Sequence, residues 1–182
     1  RELEKRGCAV TVVPASATAQ EILHLNPDGL MLSNGPGDPA DNTAVIANLR
    51  ELMRHRIPTF GICLGHQLLA LSQGAKTAKL KYGHRGANQP AKDVKTGLSY
   101  MTSQNHGYAV PGDTSPAGTG RVRHVNANDT TCYGIEYLQC NCFTVQFHPE
   151  AIVAPMATVF PSDPFLLIVC PLNRVKGGRS DT

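Results

Sequence analysis

The chain has 182 residues, of which 41% are hydrophobic and 17% charged, and its formal net charge is +3. A chain of this length buries one hydrophobic core, and no apolar run approaches the roughly 18 residues that a membrane-spanning helix needs. The small charge and the absence of tryptophan exclude the basic, aromatic surface that is typical of nucleic-acid-binding domains.

The sequence predicts neither a secretory leader at its start nor a disulfide framework. The start RELEKRGCAV is charged and lacks the basic-then-apolar order of a signal peptide. Six cysteines are too sparse to staple a small secreted domain. We therefore expect a cytoplasmic protein. Since no initiator methionine is present, we expect the first residue to be a cut edge rather than a natural beginning.

The first 25 residues contain signals for two helices and a strand. Residues 1–6 predict the end of a helix that Gly7 terminates, since glycine favours the position after a helix C-terminus. Clustered β-branched residues predict a strand over 8–13. Thr18 and Glu21 have the spacing of a capping box, which predicts the start of a short helix.

A strand, a loop, a helix and a second strand then follow within about 30 residues. The strands are predicted over 29–33 and 58–62, and the apolar positions of the helix are Val45, Ile46, Leu49, Leu52 and Met53. This order is a βαβ unit, so these strands are expected to be parallel. A further helix is predicted from Leu64 to Ser72, ending before Gly74.

Beyond Gly74 the pattern is mostly strand. The β-prone runs MTS, RVRHVN, CYGIEYL and CFTVQF are separated by glycine, proline and asparagine turns. We therefore expect an α/β protein with an open, mostly parallel sheet flanked by helices and an antiparallel, β-rich C-terminal half. Residues 152–182 differ, because prolines interrupt every candidate helix and the end is polar, which predicts a partly disordered tail.

The run Gly61-Ile62-Cys63-Leu64-Gly65 fits a nucleophile elbow with cysteine in place of serine. A strand would enter and a helix would leave, and the two glycines let neighbouring backbones approach. The Cys63 thiol would stand at the helix N-terminus, where a thiolate is favoured, and the N–H of Leu64 could stabilise an oxyanion. A cysteine at a strand end is more often structural, but the flanking glycines favour a nucleophile.

A base for this thiol is predicted at the end of the last strand. In His148-Pro149-Glu150 the rigid proline fixes the direction of both side chains, so Glu150 could orient the imidazole of His148 toward a thiol. Taken alone, such a tripeptide is structural more often than not.

The turn-rich loop Asn34-Gly35-Pro36-Gly37-Asp38-Pro39 follows a predicted strand directly. Its stiff turn can present backbone N–H groups to a carboxylate or an oxyanion, whereas the Gly-Lys-Ser/Thr of a phosphate-binding loop is missing. Ligands of open α/β sheets collect at the carboxyl ends of strands, so the loop and Cys63 should lie side by side. An ordinary turn is the alternative.

A zinc site is a weaker interpretation. Cys132, Cys140, Cys142 and His148 are candidate ligands, but Cys-x-Cys is not the Cys-x-x-Cys pair of zinc ribbons. Alternation along a strand would place Cys140 and Cys142 on the same face as core residues. We predict no metal site.

The motifs NGPGDP, FGICLGHQLLA and VQFHPEA together resemble those of the class I (triad) glutamine amidotransferases. Within that class, GAKTAKLKYGHRGANQPAKDV and TSQNHGYAV are similar to the family of carbamoyl-phosphate synthetase small subunits. The resemblance covers residues 1–151, which we expect to form one amidotransferase domain. It implies a flavodoxin-like glutaminase that passes ammonia to a large synthetase subunit, on which ATP and Mg²⁺ are expected, with no cofactor in this domain.

The resemblance also implies a role for each matching residue. Cys63 would attack the glutamine side-chain amide and form a thioester, His148 would move the proton, and Glu150 would hold His148. The implied glutamine contacts are Gly35, Gly37, Leu64, Gln67, Asn105, Gly107 and Tyr108. Tyr108 stands where phenylalanine is also common, which is harmless if the contact is through the backbone.

The chain departs from the family at both ends. The family's small subunits have a separate N-terminal domain and a first strand that are not found here, and AIVAPMATVFPSDP replaces the usual segment after Glu150. A sheet without its first strand exposes an edge, which predicts marginal stability or oligomer formation. The alternatives are a catalytically silent module that docks a synthetase subunit, and a γ-glutamyl hydrolase or cysteine peptidase of the same fold.

Overall fold

The computed structural model of the chain describes residues 2–5, 7–112 and 118–149. Glu150 and the predicted tail lie outside the described residues. The helices are α1 (Glu2–Lys5), α2 (Ala19–His24), α3 (Thr43–Arg54) and α4 (Leu64–Ser72), with a 3-10 turn at Pro39–Asp41. The strands are β1 (Leu30–Leu32), β2 (Thr59–Ile62), β3 (Ala78–Asp93), β4 (Ser99–Ala109), β5 (Gly120–Asn126), β6 (Cys132–Tyr137) and β7 (Cys142–Val145).

The seven strands form one open sheet in the order β1-β2-β7-β6-β5-β3-β4. β1 pairs parallel with β2, and β2 pairs parallel with β7. The other four neighbouring pairs are antiparallel. The expected open α/β sheet with flanking helices and an antiparallel C-terminal half is confirmed. The sheet is mixed rather than mostly parallel, because among the described strands only β1, β2 and β7 pair in parallel.

Two local sequence signals in the first half, a capping box and a terminating glycine, have the structures that they predict. Thr18 Oγ1 accepts the N–H of Glu21 at 3.2 Å, and the Glu21 carboxylate accepts the N–H of Thr18 at 2.7 Å, so the capping box is present. Gly7 has a φ of 85° after α1, a conformation that suits glycine. Both signals depend on hydrogen bonds within a few residues, which is why the sequence predicts them well.

The predicted strand over 8–13 is wrong. The structure assigns no strand there, and Val12 is 88% exposed. β-Branched residues favour a strand only where a neighbouring strand and a buried face receive them. Among the described residues, β1 pairs only with β2, so residues 8–13 lack that partner. β1 itself, expected to be buried, is only partly so, since Met31 is 41% exposed.

The longest strand, β3, was not predicted as a strand. It contains Gly83, Gly86 and Pro90, residues that argue against a strand in a sequence. Two irregularities in its pairing with β4 accommodate the glycines, since Gly83 lies between Lys79 and His84 and Gly86 borders the shift before Gln89, whereas Pro90 pairs with Met101.

Helix α4 is almost completely buried between α3 and the sheet. α3 has one apolar face, where Ile46, Leu49 and Leu52 are buried. In α4 seven of the nine residues are buried, because α3 contacts one side of it while β2, β1 and β7 contact the other. None of the helices in the described part of the chain is long and apolar enough to cross a bilayer.

Candidate active site

Cys63 forms the turn between β2 and α4, as the elbow motif predicts. Its φ of 52° and ψ of −103° lie outside the regions that residues other than glycine prefer, so its backbone is strained. The Cys63 N–H donates to the carbonyl of Val145 at 2.9 Å, and the Cys63 carbonyl accepts the N–H of Gln67 at 3.2 Å. These two bonds hold the strained residue between the sheet and the helix.

The glycines on either side of Cys63 allow the close approach that the motif predicts. A Cβ at Gly61 would lie 2.8 Å from the carbonyl carbon of Gly65, and a Cβ at Gly65 would lie 2.6 Å from the Cβ of Leu32. Such distances are too short for real side chains. The requirement for glycine at both positions is therefore confirmed.

The elbow opens into a cleft of about 590 Å³ at the carboxyl ends of β1 and β2. Its walls come from the loop after β1, the start of α4, strands β3 and β4, and the segment after β7. The lining residues are Asn34, Gly35, Pro36, Gly37, Cys63, Gln67, Arg85, Ser103, Asn105, His106, Gly107, Tyr108 and His148.

Cys63 and His148 line the same cleft, although 85 positions separate them in the sequence. His148 follows β7, and its N–H donates to the carbonyl of Ser103 on β4 at 3.0 Å. β7 lies next to β2 in the sheet, and this pairing is what brings the two segments together. Glu150, the predicted orienting residue, is outside the described residues.

Six of the seven predicted glutamine contacts line the cleft. They are Gly35, Gly37, Gln67, Asn105, Gly107 and Tyr108. The loop after β1 contacts the elbow, because the position of a Cβ on Gly35 lies 2.8 Å from Leu64 Cδ2. Leu64 does not line the cleft with its side chain, which packs with the apolar residues of α2 and α3. Its N–H is one of the first of α4 and has no acceptor within the helix.

Gln67 is held rigidly at the back of the cleft. Its Nε2 donates to the Tyr108 carbonyl at 2.7 Å and to Gln146 Oε1 at 2.9 Å. Both N–H groups of the amide are therefore used, and Gln67 can meet a ligand only through its Oε1 atom. The Tyr108 carbonyl also accepts a bond from Nδ1 of His106 at 2.7 Å.

His106 is a neutral imidazole in the cleft wall. Burial, followed in size by smaller effects of neighbouring groups, lowers the pKa of His106 to about 4. Since Nδ1 carries the proton that bonds to Tyr108, Nε2 is the acceptor nitrogen. The His106 ring packs edge-on against His84 and Tyr133, with ring centroids 5.1 and 6.0 Å away.

A hydrogen-bonded chain supports this wall from behind. Asn126 Nδ2 donates to the Tyr133 hydroxyl at 2.7 Å, and that hydroxyl bonds with His84 Nδ1 at 2.8 Å. His84 Nε2 in turn donates to the carboxylate of Asp129 at 2.8 Å. These hydrogen bonds link β5, β6 and β3, so the irregular part of β3 around His84 is fixed relative to the rest of the sheet.

His66 is a second neutral histidine, buried below the elbow. Its ring is fully buried and its Nδ1 bonds with Thr144 Oγ1 at 2.8 Å. Burial, reinforced by the nearby His106, lowers the pKa of His66 to about 3. Thr144 also packs against Gly61, where a Cβ would lie 3.0 Å from Thr144 Cγ2. His66 therefore supports the elbow from the sheet side.

Five lining residues were not among the predicted site residues: Asn34, Pro36, Arg85, Ser103 and His106. All five lie in or beside the motif stretches NGPGDP, GHRGANQP and TSQNHG, so the signal was present. Arg85 is exposed and is the only described lining residue with a permanent charge. None of the described lining residues is a carboxylate, and Asp38 bonds with the side chain of the lining residue Tyr108.

The sequence matches a family model and several curated proteins. The model described as glutamine amidotransferase class-I matches residues 1–167. The carbamoyl phosphate synthase small chain of Bacillus caldolyticus is 48% identical over 174 residues, which are 96% of this chain and 48% of that protein. That of Listeria monocytogenes serotype 4b is 50% identical over 166 residues, which are 91% of this chain and 46% of that protein. The chain spans about half the length of the curated relatives it matches.

Solved structures share the fold at lower sequence identity. A putative GMP synthase component from Thermoplasma acidophilum is 24% identical with a TM-score of 0.67, covering 81% of this chain and 75% of that one. A glutamine amido transferase from Methylobacillus flagellatus is 18% identical with a TM-score of 0.65, covering 81% of this chain and 62% of that one. These similarities concern the fold alone.

Proposed function

The chain belongs to the class-I glutamine amidotransferases and is homologous to carbamoyl phosphate synthase small chains; from this we propose that its cleft hydrolyses the side-chain amide of L-glutamine to glutamate and ammonia. The single observation that carries the proposal is the position of Cys63, a strained residue at the N-terminus of α4 that lines the same cleft as His148. We assign the domain to residues 1–151.

The elbow supplies the nucleophile and its electrostatic support. The thiolate of Cys63 attacks the amide carbon of glutamine, and the negative charge moves to the amide oxygen. N–H groups at the start of α4 and in the loop after β1 would stabilise that oxygen, and Gly35 of this loop lies against Leu64, the residue after Cys63. Because α4 is largely buried, the donors at its start need little reorganisation when the charge develops.

His148 moves the proton in this mechanism. It takes the thiol proton and gives it to the departing nitrogen, so the C–N bond breaks, ammonia leaves, and a thioester on Cys63 remains. Water then adds to the thioester carbon while His148 accepts its proton, and the C–S bond breaks to release glutamate. Glu150 completes the proposed triad by orienting the imidazole of His148.

The far end of the cleft is suited to the amino-acid end of the substrate. Arg85 supplies the one permanent charge among the described lining residues and can attract the α-carboxylate. Asn105 and Gly107 lie on the same wall, on β4, where backbone and amide groups can position the α-ammonium group. We therefore place the α-carbon of glutamine toward β4 and its amide toward Cys63.

The homology extends the proposal to a partner. The relatives are named as small chains of carbamoyl phosphate synthase. We propose that this chain passes its ammonia to a large synthetase subunit, which would hold the ATP and Mg²⁺ that carbamoyl phosphate synthesis requires. This chain itself would need no cofactor for amide hydrolysis.

Ammonia release from glutamine tests the mechanism. Cys63→Ser should lose at least about 10³-fold in rate, because a covalent thiol step is removed. Cys140→Ser, which changes a half-buried cysteine away from the cleft, is the matched control and should retain the parental rate. Each variant is assayed alone and with a large subunit, since the partner could be needed for activity. Equal rates for the parent and Cys63→Ser would exclude the proposed role of the thiol.

A further inference from the structure

Cys140 and Cys142 form a close pair of thiols that the proposed reaction does not use. Cys140 lies in the turn between β6 and β7, and Cys142 is the first residue of β7. The Cys142 N–H donates to the Cys140 carbonyl at 2.6 Å, which is the hydrogen bond of a three-residue γ-turn. Such a turn brings the ends of the tripeptide closer than the roughly 7 Å of an extended chain. The turn therefore brings the two Cα atoms toward the range of about 4.4–6.8 Å that a disulfide bridges.

Both side chains lie on the same side of the sheet. They pack in one cluster with Tyr137, Cys132 and Ile135. This placement agrees with the expectation that the two cysteines share a face, although Cys140 is in the turn rather than in the strand. Both thiols are free, and Cys140 is the more exposed of the two. A small reagent can therefore reach the pair from the turn.

The thiols are also chemically different. The hydrogen bond that Cys140 donates to Cys142, together with bonds from Thr59, holds the pKa of the Cys142 thiol below its ordinary value despite burial. The same contact with Cys142 and burial raise the pKa of Cys140. A third cysteine in the cluster, Cys132, is fully buried, and burial raises its pKa to about 12. The pair therefore contains one thiol disposed to react and a neighbour positioned to follow it.

We propose that Cys140 and Cys142 are a redox-active dithiol, which a peroxide converts into an intrachain disulfide. The Cys142 sulfur attacks one oxygen of hydrogen peroxide, the O–O bond breaks, and hydroxide leaves to give a sulfenic acid. The Cys140 sulfur then attacks that sulfur, the S–O bond breaks, and water leaves as the S–S bond forms. Two thiols are oxidised and one peroxide is reduced to two water molecules.

The pair is remote from the cleft, so its oxidation can be measured without any assay of amide hydrolysis. β7 runs parallel to β2, and Cys142 is paired with Thr59 at the amino end of β2, whereas Cys63 follows its carboxyl end. Neither cysteine lines the cleft. A failure of the dithiol proposal would therefore leave the proposed function untouched, and the reverse also holds.

The test is a peroxide titration of the reduced full chain. After each dose, free thiols are blocked with N-ethylmaleimide and the protein is digested with chymotrypsin, which can cut after Leu138 and Phe143 and so place both cysteines in one peptide. We expect this peptide to become unreactive to maleimide and lighter by two hydrogens. The change should occur at a peroxide dose at least about tenfold below that which modifies Cys132, and a reductant should reverse it.

Two variants separate the disulfide from general oxidation. Cys140→Ser should accumulate sulfenic and then sulfinic acid at Cys142, because the second thiol is missing. Cys132→Ser should still form the Cys140–Cys142 disulfide. The proposal is overturned if, in the parent, both thiols remain open to maleimide at doses that modify Cys132, or if either forms its disulfide with another cysteine. The parent alone decides these outcomes, so the test does not depend on the variants folding.

Discussion

We predict that the domain loses much of its stability between pH 7 and pH 5, because three histidines are buried in the neutral form. Burial lowers the pKa of His66 to about 3 and those of His106 and His124 to about 4. In the unfolded chain each has an ordinary pKa of about 6.5. The unfolded state therefore binds more protons in this interval, so stability is fully present above pH 6.5 and is lost as the pH falls toward 4.

The magnitude follows from the two sets of pKa values. Between pH 7 and pH 5 an unfolded histidine gains most of a proton, whereas the folded one gains almost none. The free energy of unfolding therefore falls by about 2 kcal/mol for each histidine, and by about 5–6 kcal/mol for the three. This loss is comparable with the net stability of about 5–15 kcal/mol of an ordinary domain, so unfolding should begin well above the pKa values of the carboxylates.

The assay is urea unfolding at pH 7, 6 and 5, followed by circular dichroism. The informative variant is His124→Phe, because the His124 ring packs edge-on against Phe147 with centroids 5.7 Å apart, and phenylalanine keeps that contact. Its stability loss between pH 7 and pH 5 should be about 2 kcal/mol smaller than that of the parent. His24→Gln, at an exposed ring on α2, is the control. If His124→Phe loses as much unfolding free energy between pH 7 and pH 5 as the parent, the reasoning is refuted.

Two further predictions concern the elbow and the rim of the cleft. Gly65→Ala should lower the free energy of unfolding by about 1–3 kcal/mol in urea melts, since its Cβ would overlap Leu32. Gly112→Ala is the control and should change this free energy little, because the atom nearest to its Cβ would be 3.5 Å away. Equal effects of the two substitutions would contradict the packing argument. Arg85→Gln should raise the KM for glutamine about tenfold with little change in kcat, because a charged partner of the carboxylate is lost. Lys81→Gln, on the same strand but outside the cleft, should leave both constants near those of the parent.

Sequence reasoning succeeded where the signal is local. The capping box at Thr18, the helix bounds of α4 and the glycines around Cys63 depend on contacts within a few residues of each other or on a turn that only glycine allows. It failed for residues 8–13 and for β3. In both cases the outcome depends on which strand is available as a neighbour, and propensity contains no information about that.

The residues of the candidate site also fall into those that sequence motifs predict and those that only the structure identifies. The motif at Cys63 and the resemblance of the longer stretches were enough to predict Cys63, His148 and six further residues that line the cleft. Arg85 and His106 were inside those stretches, but nothing in the sequence distinguished them from their neighbours. A residue contributes to a cleft through the direction of its side chain and through what lies opposite, and both are set by strand register.

By itself, the sequence determined the family, the elbow and the chemistry that a thiol at a helix N-terminus can perform, because these depend on residue identity at short spacing. The tertiary structure alone decided that Cys63 and His148 line one cleft, that burial lowers the pKa of His66 and His106, and that Arg85 and His106 belong to the cleft wall. The physical reason is that parallel pairing of β7 with β2 brings distant segments together, and burial against the sheet then sets the charge state of each group.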